Sequence, residues 1–190
     1  MYTTAFESAV NHLMLYEVGG WWNINAPGVR EGTNNRGCGY VNDPDDAGGE
    51  TKYGIAKTAN PTVDIANLDW EGTKALYYKQ YWLAGACDKL SSRLAVLHFD
   101  GCVNNGVRKA GIFLQRAIYV TADGAVGPAT IAKSQLLNEG TICNSICDLR
   151  EQFYQDIVKA KPSQIKYLAG WLRRIDEMRA FVLDKTKNFD

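Results

Sequence analysis

Apolar positions recur at helical spacing along most of this chain, and where they stop recurring they do so over one long stretch. Phe6, Val10, Leu13 and Met14 fall on one stripe when each residue turns the helix by about 100°, and Val18-Gly19-Gly20 ends the run, which predicts an amphipathic helix from Phe6 to Glu17. Residues 19–50 break the pattern. Rich in Gly, Asn, Asp and Pro, they predict a long loop with a short hairpin around Trp21-Trp22 and Tyr40-Val41. A loop of that length inside a compact domain usually carries function or is disordered. After Thr51 a short helix carrying Ile55 is expected, closed by Pro61.

Helical spacing dominates the rest. Stripes predict helices from Asp69 to about Ala84, from Ser91 to about Val103 and from Val107 to Ile118. Two long helices follow, one marked by Ile142, Ile146, Leu149, Phe153 and Ile157, the other by Leu168, Leu172, Ile175 and Val182, with Pro162 between them. Nothing repeats at a fixed period, so a solenoid is excluded. The expected fold is mainly α, with a long loop or small β-hairpin near its amino-terminal third.

Composition narrows the function classes. The formal net charge is zero, but residues 1–50 carry seven acids against two bases, and residues 51–190 fourteen acids against nineteen bases. An acidic front half lacks the concentrated Lys/Arg surface that displaces phosphate counterions, so no nucleic-acid partner is expected. The amino terminus shows neither the basic start nor the apolar run of a signal peptide, and no stretch approaches membrane-spanning length, so no stable membrane insertion is expected. Five cysteines at 38, 87, 102, 143 and 147 show no metal-ligand spacing and read as reduced, buried thiols, with Cys143 and Cys147 one helical turn apart. His12 and His98 read as structural. No elbow motif or paired histidine supports a Ser or Cys triad.

Candidate chemistry begins at Glu17. It falls in the middle of the apolar stripe, in the last turn of its helix, where partial burial and the negative end of the helix dipole both disfavour ionisation. A raised pKa is therefore expected, and a carboxylic acid still protonated near neutral pH is what a glycosidase uses to protonate a leaving sugar oxygen. A structural glutamate satisfied by an arginine or a backbone amide is the plain alternative. The second carboxylate would come from "YVNDPDDAGGETKYGI", which holds Asp43, Asp45, Asp46 and Glu50. A calcium loop started at Asp43 fails, because its twelfth position is Gly54 where a bidentate glutamate is needed. Gly48-Gly49 permits close approach of a polymeric substrate, and Thr51 is placed to cap a following helix or hold a water.

These residues carry a resemblance. "FESAVNHLMLYEVGG" followed by "GYVNDPDDAGGETKYGI" resembles the amino-terminal part of the glycoside hydrolase family 108 lysozymes, with order and spacing agreeing over the sixteen positions from Tyr40 to Ile55. "FDGCVNNGVRKAGIFLQRAI", "DGAVGPATI", "LREQFY" and "GWLRRIDE" resemble the predicted peptidoglycan-binding region that follows the catalytic part in the same proteins. The resemblance implies a lysozyme-like helical fold, with a catalytic region at 1–87 and a helical peptidoglycan-binding region at 88–190. It also implies N-acetylmuramidase activity on bacterial peptidoglycan, with Glu17 as acid, Asp46 as acidic partner and Thr51 as third member. Tyr40, Asn42, Gly48, Gly49 and Asn105 would then contact substrate. In that family Glu-Gly-Gly runs straight into the tyrosine, whereas here residues 19–39 intervene. The insertion is expected to extend a surface hairpin whose Trp21 and Trp22 add an aromatic platform for sugar rings. If it displaces the acidic loop instead, Asp43, Asp45 or Glu50 becomes the partner of Glu17.

The setting implied is a phage endolysin: a monomer held in the host cytoplasm without a signal peptide, then released to the wall or periplasm by a holin-type factor. No cofactor and no metal are expected. A secretion-associated muramidase, a lytic transglycosylase and a non-catalytic wall-binding module are the alternatives. Asp123-Gly124 with Gly127-Pro128 reads as a turn and helix entry, and Trp171 and Arg174 as packing and surface charge.

Overall fold

A computed structural model describes residues 1–18, 39–42 and 49–190. Among these the chain is mainly α: seven α-helices and one two-stranded antiparallel sheet. By internal contacts it divides into two compact units, one of Glu7–Gln80 and one of Met1–Phe6 with Tyr81–Asp190. No helix among the described residues is long and apolar enough to cross a membrane.

In the unit Glu7–Gln80, helix α1 (Thr4–Glu17, whose first turn belongs to the other unit) buries Val10, Leu13 and Met14 completely, as its stripe predicts. The helix expected after Thr51 is absent. Strands β1 (Thr51–Lys52) and β2 (Ile55–Ala56) form a hairpin there instead, with Thr51 opposite Ala56 and Lys52 opposite Ile55. Its two turn residues, Tyr53 at φ 52° and Gly54 at φ 75°, are both left-handed, the turn whose twist suits adjoining antiparallel strands. A local Tyr-Gly turn thus overrides the apolar restart at Ile55. Val41 bridges the other edge of β1, exchanging two backbone hydrogen bonds of 2.9 and 2.8 Å with Thr51. Val41 therefore does pair with a strand, through a single bridge, while the Trp21-Trp22 part of the predicted hairpin lies outside the described residues.

Helix α2 (Trp70–Tyr77) starts where Asp69 caps it, accepting the Gly72 N–H at 2.7 Å, and a π-helical segment continues it from Tyr78 to Leu83. Pro61 stands in a turn region before it.

The second unit is built around α3 (Ser92–Asn105), in which every residue from Leu94 to Cys102 is buried. Such a helix, buried on all sides, must be central. Phe6, Trp82 and Phe99 form its aromatic cluster, with ring centroids 5.3 to 5.8 Å apart in tilted or edge-on pairs. Helices α4 (Val107–Ala117) and α7 (Ile165–Leu183) pack on α3, and α6 (Glu139–Ala160) packs on α4 and α7. Helix α5 (Pro128–Gln135) begins at the Gly127-Pro128 entry.

One ion cluster fixes this packing. Asp100 is 1% exposed and accepts from Arg150 at 2.7 Å and from Arg174 at 3.2 Å, tying α3 to α6 and α7. Burial alone would raise its pKa, but the two guanidinium groups outweigh that and hold it below the usual carboxylate value. Arg174, expected to be surface charge, is instead a partner of a buried acid. Cys143 and Cys147 are free and buried in α6, their thiols pushed up by desolvation to about 12 and about 11.

Candidate active site

Glu17 ends α1 half-buried, behind fully buried Leu13 and Met14. Its carboxylate reaches the turn of the β1–β2 hairpin. A Cβ placed on Gly54 would lie 2.8 Å from Glu17 Oε2 and 2.8 Å from the Tyr77 hydroxyl. The two oxygens therefore sit within twice that distance of each other, over a position with room only for glycine. Tyr77 is buried and donates its hydroxyl to the Tyr53 carbonyl at 2.9 Å, so α2 locks the hairpin turn under the acid. Sequence reasoning missed Tyr77, one more aromatic in a helical stripe, and read Gly54 only as part of a motif.

Thr51 belongs to the same hairpin. It caps no helix; its hydroxyl donates to the Gly49 carbonyl at 3.1 Å, which leaves the oxygen lone pairs free to accept. Gly49 holds φ 65°, a left-handed backbone that favours glycine. Tyr40 donates to Glu50 Oε1 at 2.8 Å, and that hydrogen bond, with burial second, holds the Tyr40 phenol above its ordinary pKa. Glu50 thus accepts from Tyr40 through one of its carboxylate oxygens. Asn42 is exposed. Asp43, Asp45, Asp46, Gly48, Trp21 and Trp22 lie outside the described residues.

The described residues at the two edges of the insertion meet beside the site. A Cβ on Gly39, itself at φ 64°, would lie 2.9 Å from Val18 Cγ1 and 3.6 Å from the Glu17 carbonyl. Val18 and Gly39 bracket residues 19–38 in sequence and touch in space.

Asn105 lies elsewhere, in the unit that contains α3. There a cavity of about 430 Å³ is lined by Asn105, Arg150, Phe153, Tyr154, Trp171 and Arg174, among others. Tyr154 and Trp171 stack with centroids 4.8 Å apart at 21°, and Asn105 donates to the Tyr154 hydroxyl at 2.9 Å. Asn105 Oδ1 and Arg150 Nε and Nη1 are buried without a hydrogen-bond partner among the described residues. Trp171, expected to be packing only, lines this cavity.

Two family models match the chain: residues 30–106 match "Glycosyl hydrolase 108", and residues 109–176 match "Predicted Peptidoglycan domain". Residues 30–106 thus belong to the glycosyl hydrolase 108 family. The glycosyl hydrolase 108 chain is thus a glycoside hydrolase with peptidoglycan as its partner. Its match begins at residue 30, so Glu17 lies ahead of the matched region. A solved structure titled "Structure of Brucella abortus SagA" superimposes with TM-score 0.71 over 96% of each chain at 23% identity, a likeness that establishes the lysozyme-like helical fold. No curated protein matches the chain.

Proposed function

We propose that this glycosyl hydrolase 108 protein is an N-acetylmuramidase cleaving the β-1,4 bond between N-acetylmuramic acid and N-acetylglucosamine. The observation that carries the reading is the position of Glu17, half-buried against Gly54 and Tyr77 at the turn of the hairpin that bears Thr51. In this reading Glu17 protonates the leaving oxygen. Asp46 orients the attacking water or offsets oxocarbenium charge, and Thr51 accepts a hydrogen bond from that water. The contact between Val18 and Gly39 supports it, because the residues that flank the insertion meet beside Glu17. Tyr40, Asn42, Gly48 and Gly49 line the substrate path, with Trp21 and Trp22 as platform.

We divide the chain into a catalytic region, 1–87, and a peptidoglycan-binding region, 88–190. The stacked Tyr154 and Trp171, with Asn105 and two arginines, form the wall-contacting cavity of the second region. An aromatic face with adjoining polar donors suits a saccharide or its peptide stem. The biological setting proposed is host lysis by a monomeric phage endolysin, released from the cytoplasm by a holin-type factor.

The test incubates the purified protein and its Glu17→Gln variant with peptidoglycan, following turbidity and new reducing ends. Hydrolysis by the parent with loss in the variant is the expected result. Activity in a folded Glu17→Gln variant removes Glu17 from the mechanism, and no release by either protein favours a wall-binding module. Anhydro-muramic ends in the fragment masses would make the enzyme a lytic transglycosylase.

A further inference from the structure

The expectation that the cysteines lack metal-ligand spacing holds along the sequence and fails in space. His98 and Cys102 stand four residues apart on α3, hence on one face of that helix. Cys87 opens the 3-10 turn Cys87–Lys89, which follows the π-helical segment. The fold brings the three together: one ligand atom from each lies within 4.8 Å of the others, and all three residues are buried, at 1%, 2% and 0% exposure for Cys87, His98 and Cys102.

We propose that Cys87, His98 and Cys102 form a zinc site that clamps the turn at residues 85–90 onto α3. Thiolate sulfur and imidazole nitrogen are a donor set that suits zinc and disfavours magnesium or calcium. With bonds near 2.3 Å to sulfur and 2.0–2.1 Å to nitrogen, a tetrahedral ion needs ligand atoms roughly 3.5–3.8 Å apart. The observed spacing, within 4.8 Å, would have to close by up to about 1 Å on binding. The second shell is in place: His98 Nε2 stands 3.1 Å from the Gly85 carbonyl. An Nε2–H donated there leaves Nδ1 with its lone pair for the metal, the arrangement that usually orients a ligating histidine.

Gly85 belongs to the design of the site. A Cβ there would lie 2.6 Å from Cys102 Sγ and 3.4 Å from Cys87 Sγ, so any larger residue would occupy the space that the sulfurs share. Three protein ligands leave the fourth tetrahedral position to a water, and Cys87 also lines a cavity of about 120 Å³ together with Asp88 and Thr3. Binding replaces two S–H bonds by two Zn–S bonds and releases both protons to solvent, with no change of oxidation state. The site is structural, and it stands apart from the glycosidase reading.

The experiment uses the full chain purified without chelators. Elemental analysis is expected to find about one zinc per chain. Replacement by Co²⁺ is expected to give the intense near-ultraviolet absorption of thiolate-to-cobalt charge transfer. Cys102→Ser and His98→Gln should lose metal and absorption, while Cys143→Ser keeps both. The proposal is overturned if the parent protein takes up neither added Zn²⁺ nor Co²⁺. It is equally overturned if an unreduced peptide map shows a Cys87–Cys102 disulfide, or if a folded Cys102→Ser variant binds cobalt with the parent spectrum. The first two readouts use the parent protein alone, so misfolding of a variant leaves them intact.

Discussion

At the scale of single residues, the candidate site turns on the missing side chain of Gly54. Alanine there would have to adopt a left-handed φ of 75°, and its methyl would enter the space of Glu17 Oε2 and the Tyr77 hydroxyl. Left-handed backbone costs a non-glycine residue about 1–2 kcal/mol. A displacement of the acid on the order of 1 Å costs about a hundredfold in rate. Gly54→Ala is therefore expected to fold with a modestly lower melting temperature and to release reducing ends about a hundredfold more slowly. Unchanged release by a folded variant would show that Glu17 works elsewhere. Glu17 itself was legible in the sequence, because a carboxylate in the middle of an apolar stripe is an anomaly that periodicity exposes. Gly54 and Tyr77 were not, since only the pairing of α2 with a hairpin turn places them under the acid.

Elements show why some local structure can be read and some cannot. The stripes of α1, α3, α4, α6 and α7 predict those helices well, because a helix buries one face repeatedly and its period survives in the residues. The Thr51–Ala56 hairpin is too short for an alternating pattern, and its left-handed Tyr53 is a non-glycine in a glycine-favouring state that no composition rule announces. The cysteine–histidine cluster escapes for another reason, since Cys87 joins His98 and Cys102 only through the tertiary fold. The Asp123-Gly124 motif was legible as a turn, and the structure supplies its anchor in Gln115 of α4. Its side-chain oxygen accepts the Gly124 N–H at 2.7 Å, and its amide donates to Asp123 at 2.7 Å and to the Ala125 carbonyl at 2.9 Å. Replacing this buried amide strands its partners. Gln115→Leu is expected to lower unfolding free energy by about 2–3 kcal/mol, read from a denaturant midpoint. A midpoint like the parent's would mean that the turn holds itself.

For the molecule as a whole, the acid limb of stability should trace to Asp100. Its folded pKa is depressed, so the stability it contributes is complete above the unfolded value, near 3.9, and is lost as pH falls through the folded value. Asp100→Asn strands two guanidinium groups, one of them 1% exposed, and is expected to cost about 3–5 kcal/mol at pH 7. The gap between variant and parent should narrow below about pH 4. Melting curves across that range would show it, and a constant gap would assign the acid limb to other carboxylates. The contact of Val18 with Gly39 has a different reach. Closing a flexible loop costs only about 0.6 kcal/mol more for each doubling of its length. Because Val18 and Gly39 stand side by side, a change in the length of chain between them adds only a small entropic term and leaves Glu17 seated against Gly54 and Tyr77.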